Sequence, residues 1–207
     1  MAETIRIHPE NPQQRLVARV ADQLRGGAVI AYPTDSSYAL GCAIGNKPAI
    51  DRIRWIRGFG REHYFTLLCR DLSEIATYAK VENASFRLLK ALTPGPYTFV
   101  LPATREVPRW LWHPKRKTIG IRVPTHYTAT AIATALDSPI MSVTALLPDD
   151  DIPLSDPGDV QARLGAHVDV VVDSGACNLE PTTVIDLTGT TPRILRVGRG
   201  PVDAVTG

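Results

Sequence analysis

Apolar residues recur with helical spacing at Leu16, Val17, Val20, Ala21 and Leu24, after Asn11-Pro12 and before Gly26-Gly27. A capping side chain, a proline in the first turn and a glycine stop predict an amphipathic helix there. The run from Ala28 to Tyr32 is short, apolar throughout and ended by Pro33, which predicts a buried strand feeding a loop at Thr34. Asn46 to Arg57 predicts a second helix, with Ile50, Ile53 and Ile56 on one side and Asp51, Arg52 and Arg54 elsewhere. Phe65 to Cys69 predicts a strand. Asp71 with Glu74 has the spacing of a capping box, and Asn83 to Leu92 predicts a further helix before the turn forced by Pro94-Gly95-Pro96.

Tyr97 to Leu101 and Thr118 to Val123 predict strands. In the second, Ile119, Ile121 and Val123 alternate with Gly120 and Arg122, so Arg122 points away from the face that buries the isoleucines. Further strands are predicted at Ile140 to Thr144, Val168 to Asp173, Thr183 to Leu187 and Arg193 to Val197, with helices near Ala129 to Leu136 and Asp159 to Leu164. Several strands follow one another without a helix, so the expectation is an α/β fold on a mixed sheet and not a regular βαβ repeat. Pro148 to Pro157 reads as a mobile surface loop and Gly198 to Gly207 as a tail. With 207 residues, 44% of them hydrophobic, the chain is expected to form a single domain with a core from about residue 12 to 200.

Composition narrows the function classes. Lys and Arg exceed Asp and Glu by only two charges, so any contact with nucleic acid must come from local clusters. Cys42, Cys69 and Cys177 are an odd set at wide spacing, which predicts neither a disulfide framework nor a zinc site and fits a reducing, cytoplasmic compartment. The N-terminus lacks the pattern of a secretory signal, and no apolar run is long enough for a membrane span. The histidines are scattered, so no protein-held metal is expected. GxxxxGK[ST], GxGxxG and GxSxG are all absent.

Two features carry candidate chemistry. Pro33-Thr34-Asp35-Ser36-Ser37-Tyr38 delivers hydroxyls and a carboxylate at a strand end, where α/β sheets bind ligands, although these residues equally suit an Asx or Ser/Thr turn. Arg52, Arg54, Arg57 and Arg61, and separately Lys115, Arg116 and Lys117 near Trp110 and Trp112, interleave cations with aromatics. Such stretches hold phosphates and stack bases, or are simply solvated faces beside a core tryptophan.

Five segments occur in order that resemble the successive signatures of the YrdC-like domain family: Pro33 to Leu40, Thr93 to Thr98, Gly120 to Pro124, Pro181 to Asp186 and Ile194 to Gly198. Ile7 to Leu16 and Phe65 to Leu72 resemble its YciO branch in particular. The resemblance implies a twisted mixed sheet with flanking helices and a positively charged concavity for RNA, nucleotide and threonine. It implies threonylcarbamoyl-AMP synthesis, a nucleotidyl transfer in which threonine, bicarbonate and ATP give threonylcarbamoyl-AMP and pyrophosphate for tRNA modification, with magnesium carried by the ATP. By matching motifs, Thr34, Tyr38, Arg122 and Thr182 would bind threonine, and Arg57, Ser142, Thr144 and Arg196 the ATP or AMP, with Arg57 and Thr144 acting in catalysis. Arg57, at the end of its predicted helix, also suits a cation favoured by the macrodipole. Arg52, Arg54, Arg61, Lys115, Arg116 and Lys117 would meet tRNA or double-stranded RNA, as an alternative role for the chain.

Two positions depart from the synthase pattern. Phe59 stands where the synthases have a second basic residue, and Leu146 replaces the asparagine of their Ser-Ala-Asn element. Leucine cannot hydrogen-bond phosphate, ribose or base, so the resemblance implies at most reduced synthase activity, or a related hydrolase or adenylating reaction in the same pocket.

Overall fold

The computed structural model describes residues 1–59, 65–113 and 115–206. Its elements run β1 (Glu3–Arg6), α1 (Gln14–Arg25), β2 (Ile30–Pro33), β3 (Tyr38–Ala43), α2 (Lys47–Arg57), β4 (Thr66–Leu68), α3 (Leu72–Tyr78), α4 (Asn83–Leu92) and β5 (Tyr97–Pro102). They continue as β6 (Thr118–Arg122), α5 (Tyr127–Leu136), β7 (Ile140–Thr144), α6 (Pro157–Leu164), β8 (Val170–Asp173), β9 (Thr183–Asp186), β10 (Arg193–Arg196) and α7 (Asp203–Thr206). The strands form one ten-stranded sheet in the order β1-β8-β2-β3-β7-β4-β6-β5-β9-β10. Parallel pairs (β1 with β8, β8 with β2, β4 with β6, β5 with β9) are mixed with antiparallel ones, as expected from the uneven spacing of the helices.

Strand alternation sorts the core onto two faces. Ile30 and Tyr32 of β2, Ile140 of β7 and Val170 and Val172 of β8 pack beneath α1 and α5. Ala31, Leu40, Leu67, Phe99, Ile121 and Ile185 pack on the opposite face, under α2, α3 and α4. Leu68 of β4 is the last strand residue of the first cluster, and beyond it Thr98 and Val100 of β5, Gly120 of β6 and Val184 of β9 are only half-buried, so β6, β5 and β9 keep one face open. The open face is the one away from Ile119 and Ile121, and it carries Arg122.

Caps and stops set the helix ends. Asn46 caps α2 by accepting from the Ala49 amide at 3.1 Å, and Gly58 ends it in the left-handed region at φ 62°. Asp71 caps α3, accepting from Glu74 N at 2.8 Å, while the Glu74 carboxylate accepts from Arg70 N at 2.7 Å. The first helix begins later than expected, at Gln14 and without a side-chain cap. Asn11 is held outside it, its amide donating to His8 Nδ1 at 3.1 Å.

Three segments differ from their sequence reading. Glu3–Arg6 is a strand, parallel to β8, with only Ile5 of its residues buried, so its alternation was too weak to read and it lies outside the expected core. Tyr38–Ala43, for which the sequence predicts no element, is a central strand between β2 and β7. It accepts that place because Gly41 leaves room: a Cβ there would come within 2.7 Å of Tyr32 Cε1 and 2.8 Å of Ile140 Cγ2. The loop at 148–157 is fastened at its centre, where Leu154 donates to Ala145 O and accepts from Tyr38 N. No helix among the described residues is long and apolar enough to cross a membrane.

Candidate functional site

The open face of the sheet gathers polar groups in a concavity. On β6, Arg122 is 8% exposed, and it donates through Nη2 to Asp35 Oδ1 in the turn between β2 and β3. The other Asp35 oxygen accepts from Thr125 N at 3.1 Å and from Thr125 Oγ1 at 3.3 Å. Three strand spacings separate β3 from β6, about 14 Å in a flat sheet, so the sheet curls to bring these two residues together. Arg122 Nε is buried and has no hydrogen-bond partner. Such an orphaned charged donor is costly unless a ligand or water completes it.

Around this pair lie hydroxyls and a second arginine. Ser142 Oγ meets Tyr32 Oη at 2.7 Å beneath the floor. Burial pushes the Tyr32 phenol well above its usual range, with the Ser142 hydrogen bond and the nearby Arg122 charge opposing that shift. Thr98 Oγ1 and Thr182 Oγ1 are 2.9 Å apart, and Arg196 donates through Nη2 to Thr182 O at 2.9 Å. Partial burial lowers the Arg196 pKa, and the Arg122 charge lowers it further.

A second cation stands at the C-terminal end of α2. Arg57 is 6% exposed, lies 4.2 Å from the centre of the Phe59 ring, and keeps a buried Nε without a partner. Burial pulls its guanidinium down to about 10, so it remains a cation at neutral pH. A Cβ on Gly58 would touch Pro148 Cγ at 2.9 Å, so this helix end abuts the segment that follows Thr144. Thr144 itself is exposed at the end of β7, on the same side of the strand as Ser142.

Among the threonine-site candidates, Arg122 and Thr182 thus face the concavity. Thr34 does not offer a free hydroxyl: its Oγ1 donates to Ser37 O at 2.7 Å and accepts from Ser36 N at 3.2 Å, capping its own turn. Tyr38 lies on the other face of the sheet, in the core with α2, and its hydroxyl donates to Gly175 O at 3.0 Å. Of the nucleotide-site candidates, Ser142 and Arg196 join the Arg122 group, whereas Arg57 and Thr144 stand toward the α2 end.

The RNA candidates divide. Arg52 is engaged with Asp169 at 2.8 Å and His167 O, and Arg54 with Asp51 at 3.2 Å and the Phe65 ring. Lys115, Arg116 and Lys117 form an exposed turn, with the Lys115 and Arg116 amides donating to His113 Nδ1. Trp112 is a core-packing residue whose indole donates to Val107 O, while Trp110 is 40% exposed. Arg61 lies outside the described residues.

Sequence reasoning missed Asp35, Thr125 and Arg199, whose Nη1 donates to Asp35 O at 2.8 Å. Asp35 sat inside the singled-out turn, but only the fold shows that it is the turn residue turned toward Arg122. A separate groove of about 1010 Å³ runs between α1, α5 and the ends of α3 and α4. Its walls are mainly apolar, with Arg70, Asp71 and Lys90 at its edge, and it meets the polar site only at Thr125. Among the described residues no group of three or more His, Cys, Asp or Glu is placed to hold a metal ion.

A mixed sheet whose open face collects arginines, hydroxyls and one carboxylate defines an α/β protein with a polar cleft on one side of its sheet. The chain belongs to the Sua5/YciO/YrdC family, whose model, described as telomere recombination, matches residues 22–198. It is 50% identical over 202 residues, 98% of each chain, to the protein named YciO of Escherichia coli strain K12. It is 31% identical over 172 residues, 82% of this chain and 89% of the relative, to the threonylcarbamoyl-AMP synthase of Halorhodospira halophila. The crystal structure of E. coli YciO superimposes with a TM-score of 0.94 at 49% identity, covering 99% of this chain and all of that one. P. abyssi Sua5 in complex with L-threonine superimposes with a TM-score of 0.85 at 25% identity, over 96% of this chain and 57% of that one.

Proposed function

We propose that the cleft binds an amino acid, threonine, by its carboxylate at Arg122, and an adenine nucleotide, ATP or AMP, across Ser142, Thr144, Arg57 and Arg196. The observation that carries this reading is the buried Arg122 guanidinium with an unpartnered Nε edge. Arginine presents two donors side by side, so that edge and an adjacent Nη suit a carboxylate. Likeness to a Sua5 that was crystallised with L-threonine supports the choice of amino acid.

The accompanying reaction is threonylcarbamoyl-AMP synthesis at a reduced rate. Threonine's amine condenses with bicarbonate to a carbamate with loss of water, and a carbamate oxygen attacks the α-phosphorus of ATP, breaking its bond to the bridging oxygen and expelling pyrophosphate. Charge gathers on phosphate oxygens, so cations and hydroxyls suffice and no enzyme nucleophile is required. Magnesium enters with the nucleotide as part of the substrate. Phe59 and Leu146 remove one charged and one neutral contact from the phosphate end, a loss of about 2–4 kcal/mol of ligand stabilisation, or roughly 30- to 1000-fold.

Pyrophosphate release with ATP, threonine and bicarbonate, run beside Leu146→Asn, tests this reading. Release that requires both threonine and bicarbonate, and rises in the variant, is expected. No release from either protein, together with no binding of threonine or nucleotide, would refute it. RNA binding is the second reading, favoured by the exposed Trp110 beside the Lys115–Lys117 turn. It requires a salt-dependent shift of tRNA or duplex RNA that is lost on neutralising those three cations.

A further inference from the structure

The segment after β10 is not a loose tail. Thr183 Oγ1 donates to Gly200 O at 2.7 Å and accepts from Gly198 N at 2.9 Å. The Arg199 amide donates to Pro181 O at 2.9 Å, and Tyr97 Oη donates to Pro201 O at 2.9 Å. The seat admits only a bare backbone at Gly200, where a Cβ would fall 2.3 Å from Tyr97 Cε1. The strap is therefore pinned on β5 and β9 by its main chain, and the Arg199 side chain takes no part in pinning it.

That side chain instead crosses the cleft. Its Nη1 donates to the backbone carbonyl of Asp35, the residue whose carboxylate holds one edge of Arg122. From β3 to β9 there are five strand spacings, about 24 Å in a flat sheet, so the contact spans the mouth of the curled face. Two walls that share no strand pairing are tied there by one hydrogen bond from a charged donor, a kind of bond stronger than one between neutral groups.

We propose that Arg199 is a positioning residue: it latches the Thr34–Ser37 turn to the C-terminal strap and so fixes Asp35 where its carboxylate orients Arg122 and leaves the Nε edge for an incoming carboxylate. The part concerning ligand rests on the amino-acid reading above. The latch predicts selectivity. Loosening the turn weakens the carboxylate end of the cleft more than the nucleotide end, where Arg57 and Thr144 stand apart from the Arg122 group.

The test compares the full chain with Arg199→Ala, Arg199→Lys and Arg193→Ala, the last removing an exposed cation of β10 that pairs with Asp186. Hydrogen exchange at the Thr34 and Ser36 amides is measured without ligand, and threonine and AMP affinities are measured by calorimetry. Arg199→Ala is expected to speed exchange at those amides and weaken threonine about tenfold, with AMP affinity falling by clearly less. Arg199→Lys should recover part of both effects, and Arg193→Ala should show neither. Unchanged exchange in Arg199→Ala overturns the latch, as does a threonine affinity equal to wild type or a matching loss for AMP. Wild-type protein that ignores threonine defeats the amino-acid reading instead, and the exchange result then decides the latch alone.

Discussion

Replacing Asp35 by Asn is the most informative perturbation of the cleft's stability. The two side chains of the Asp35–Arg122 pair are 5% and 10% exposed, so their charges are poorly screened by solvent. Removing one member of a buried pair leaves the other charged and uncompensated, at a cost of about 3–5 kcal/mol. Asparagine keeps the size of aspartate and an acceptor for the Thr125 amide, so the lower end, about 3 kcal/mol, is expected. For a chain of this length that corresponds to a fall in Tm of roughly 6–12 °C, or of about 1 M or more in the urea midpoint. Equilibrium urea unfolding checks it. Millimolar threonine should restore part of the loss, because its carboxylate on the open Nε edge returns a negative charge to Arg122, and an Asp35→Asn, Arg122→Gln double variant should be more stable than Asp35→Asn alone. An unfolding free energy within about 0.5 kcal/mol of wild type at unchanged slope would refute the buried-pair reasoning.

Three further outcomes follow from the same geometry. Tyr32→Phe should cost about 1 kcal/mol in urea unfolding, because the Ser142 hydroxyl loses its buried partner at 2.7 Å; no loss would contradict that bond. Burial pushes the Cys177 thiol up to about 11, so at pH 8 its thiolate population is small and labelling by a disulfide reagent should run about 200-fold slower than a free thiol, rising about tenfold per pH unit; full-rate labelling would overturn the placement. Cys42, pushed up to about 12 by burial, and Cys69, raised by burial next to Glu74, should label only as the protein unfolds, which stopped-flow labelling in urea will show.

Much of the fold was legible because most of its strands and helices carry their own period. Ile119, Ile121 and Val123 mark a buried face so clearly that the outward aim of Arg122 follows from alternation alone. The sequence failed where stability comes from distant partners. Glu3–Arg6 buries one of its four residues and exists as a strand because β8 offers a parallel edge. Tyr38–Ala43 gives no strand signal of its own, yet it pairs on both sides, and its Gly41 is what lets the Tyr32 ring lie across the strand. The same limit applies to the site. Motifs pointed to the Pro33–Tyr38 turn, but residues within it face different ways: Asp35 meets Arg122, Thr34 caps the turn, and Tyr38 enters the core. The strap that carries Arg199 gave no periodic signal, because its glycines are set by contact with Tyr97 and Pro181.

The family assignment and the departures at Phe59 and Leu146 bear on different halves of the cleft. The carboxylate end is assembled around a buried arginine with an open donor edge. At the end proposed for phosphate, Arg57 stacks on Phe59. Binding and turnover should therefore separate, with threonine recognition retained while pyrophosphate release is slow.

Calorimetric titration of threonine into the wild-type chain and into Arg122→Gln tests that claim most directly. Saturable binding at millimolar threonine or below is expected for the wild type, with an affinity at least about 30-fold weaker in the variant, as befits loss of a charge-assisted contact. No binding heat from the wild type, or equal affinity in both proteins, would contradict the account.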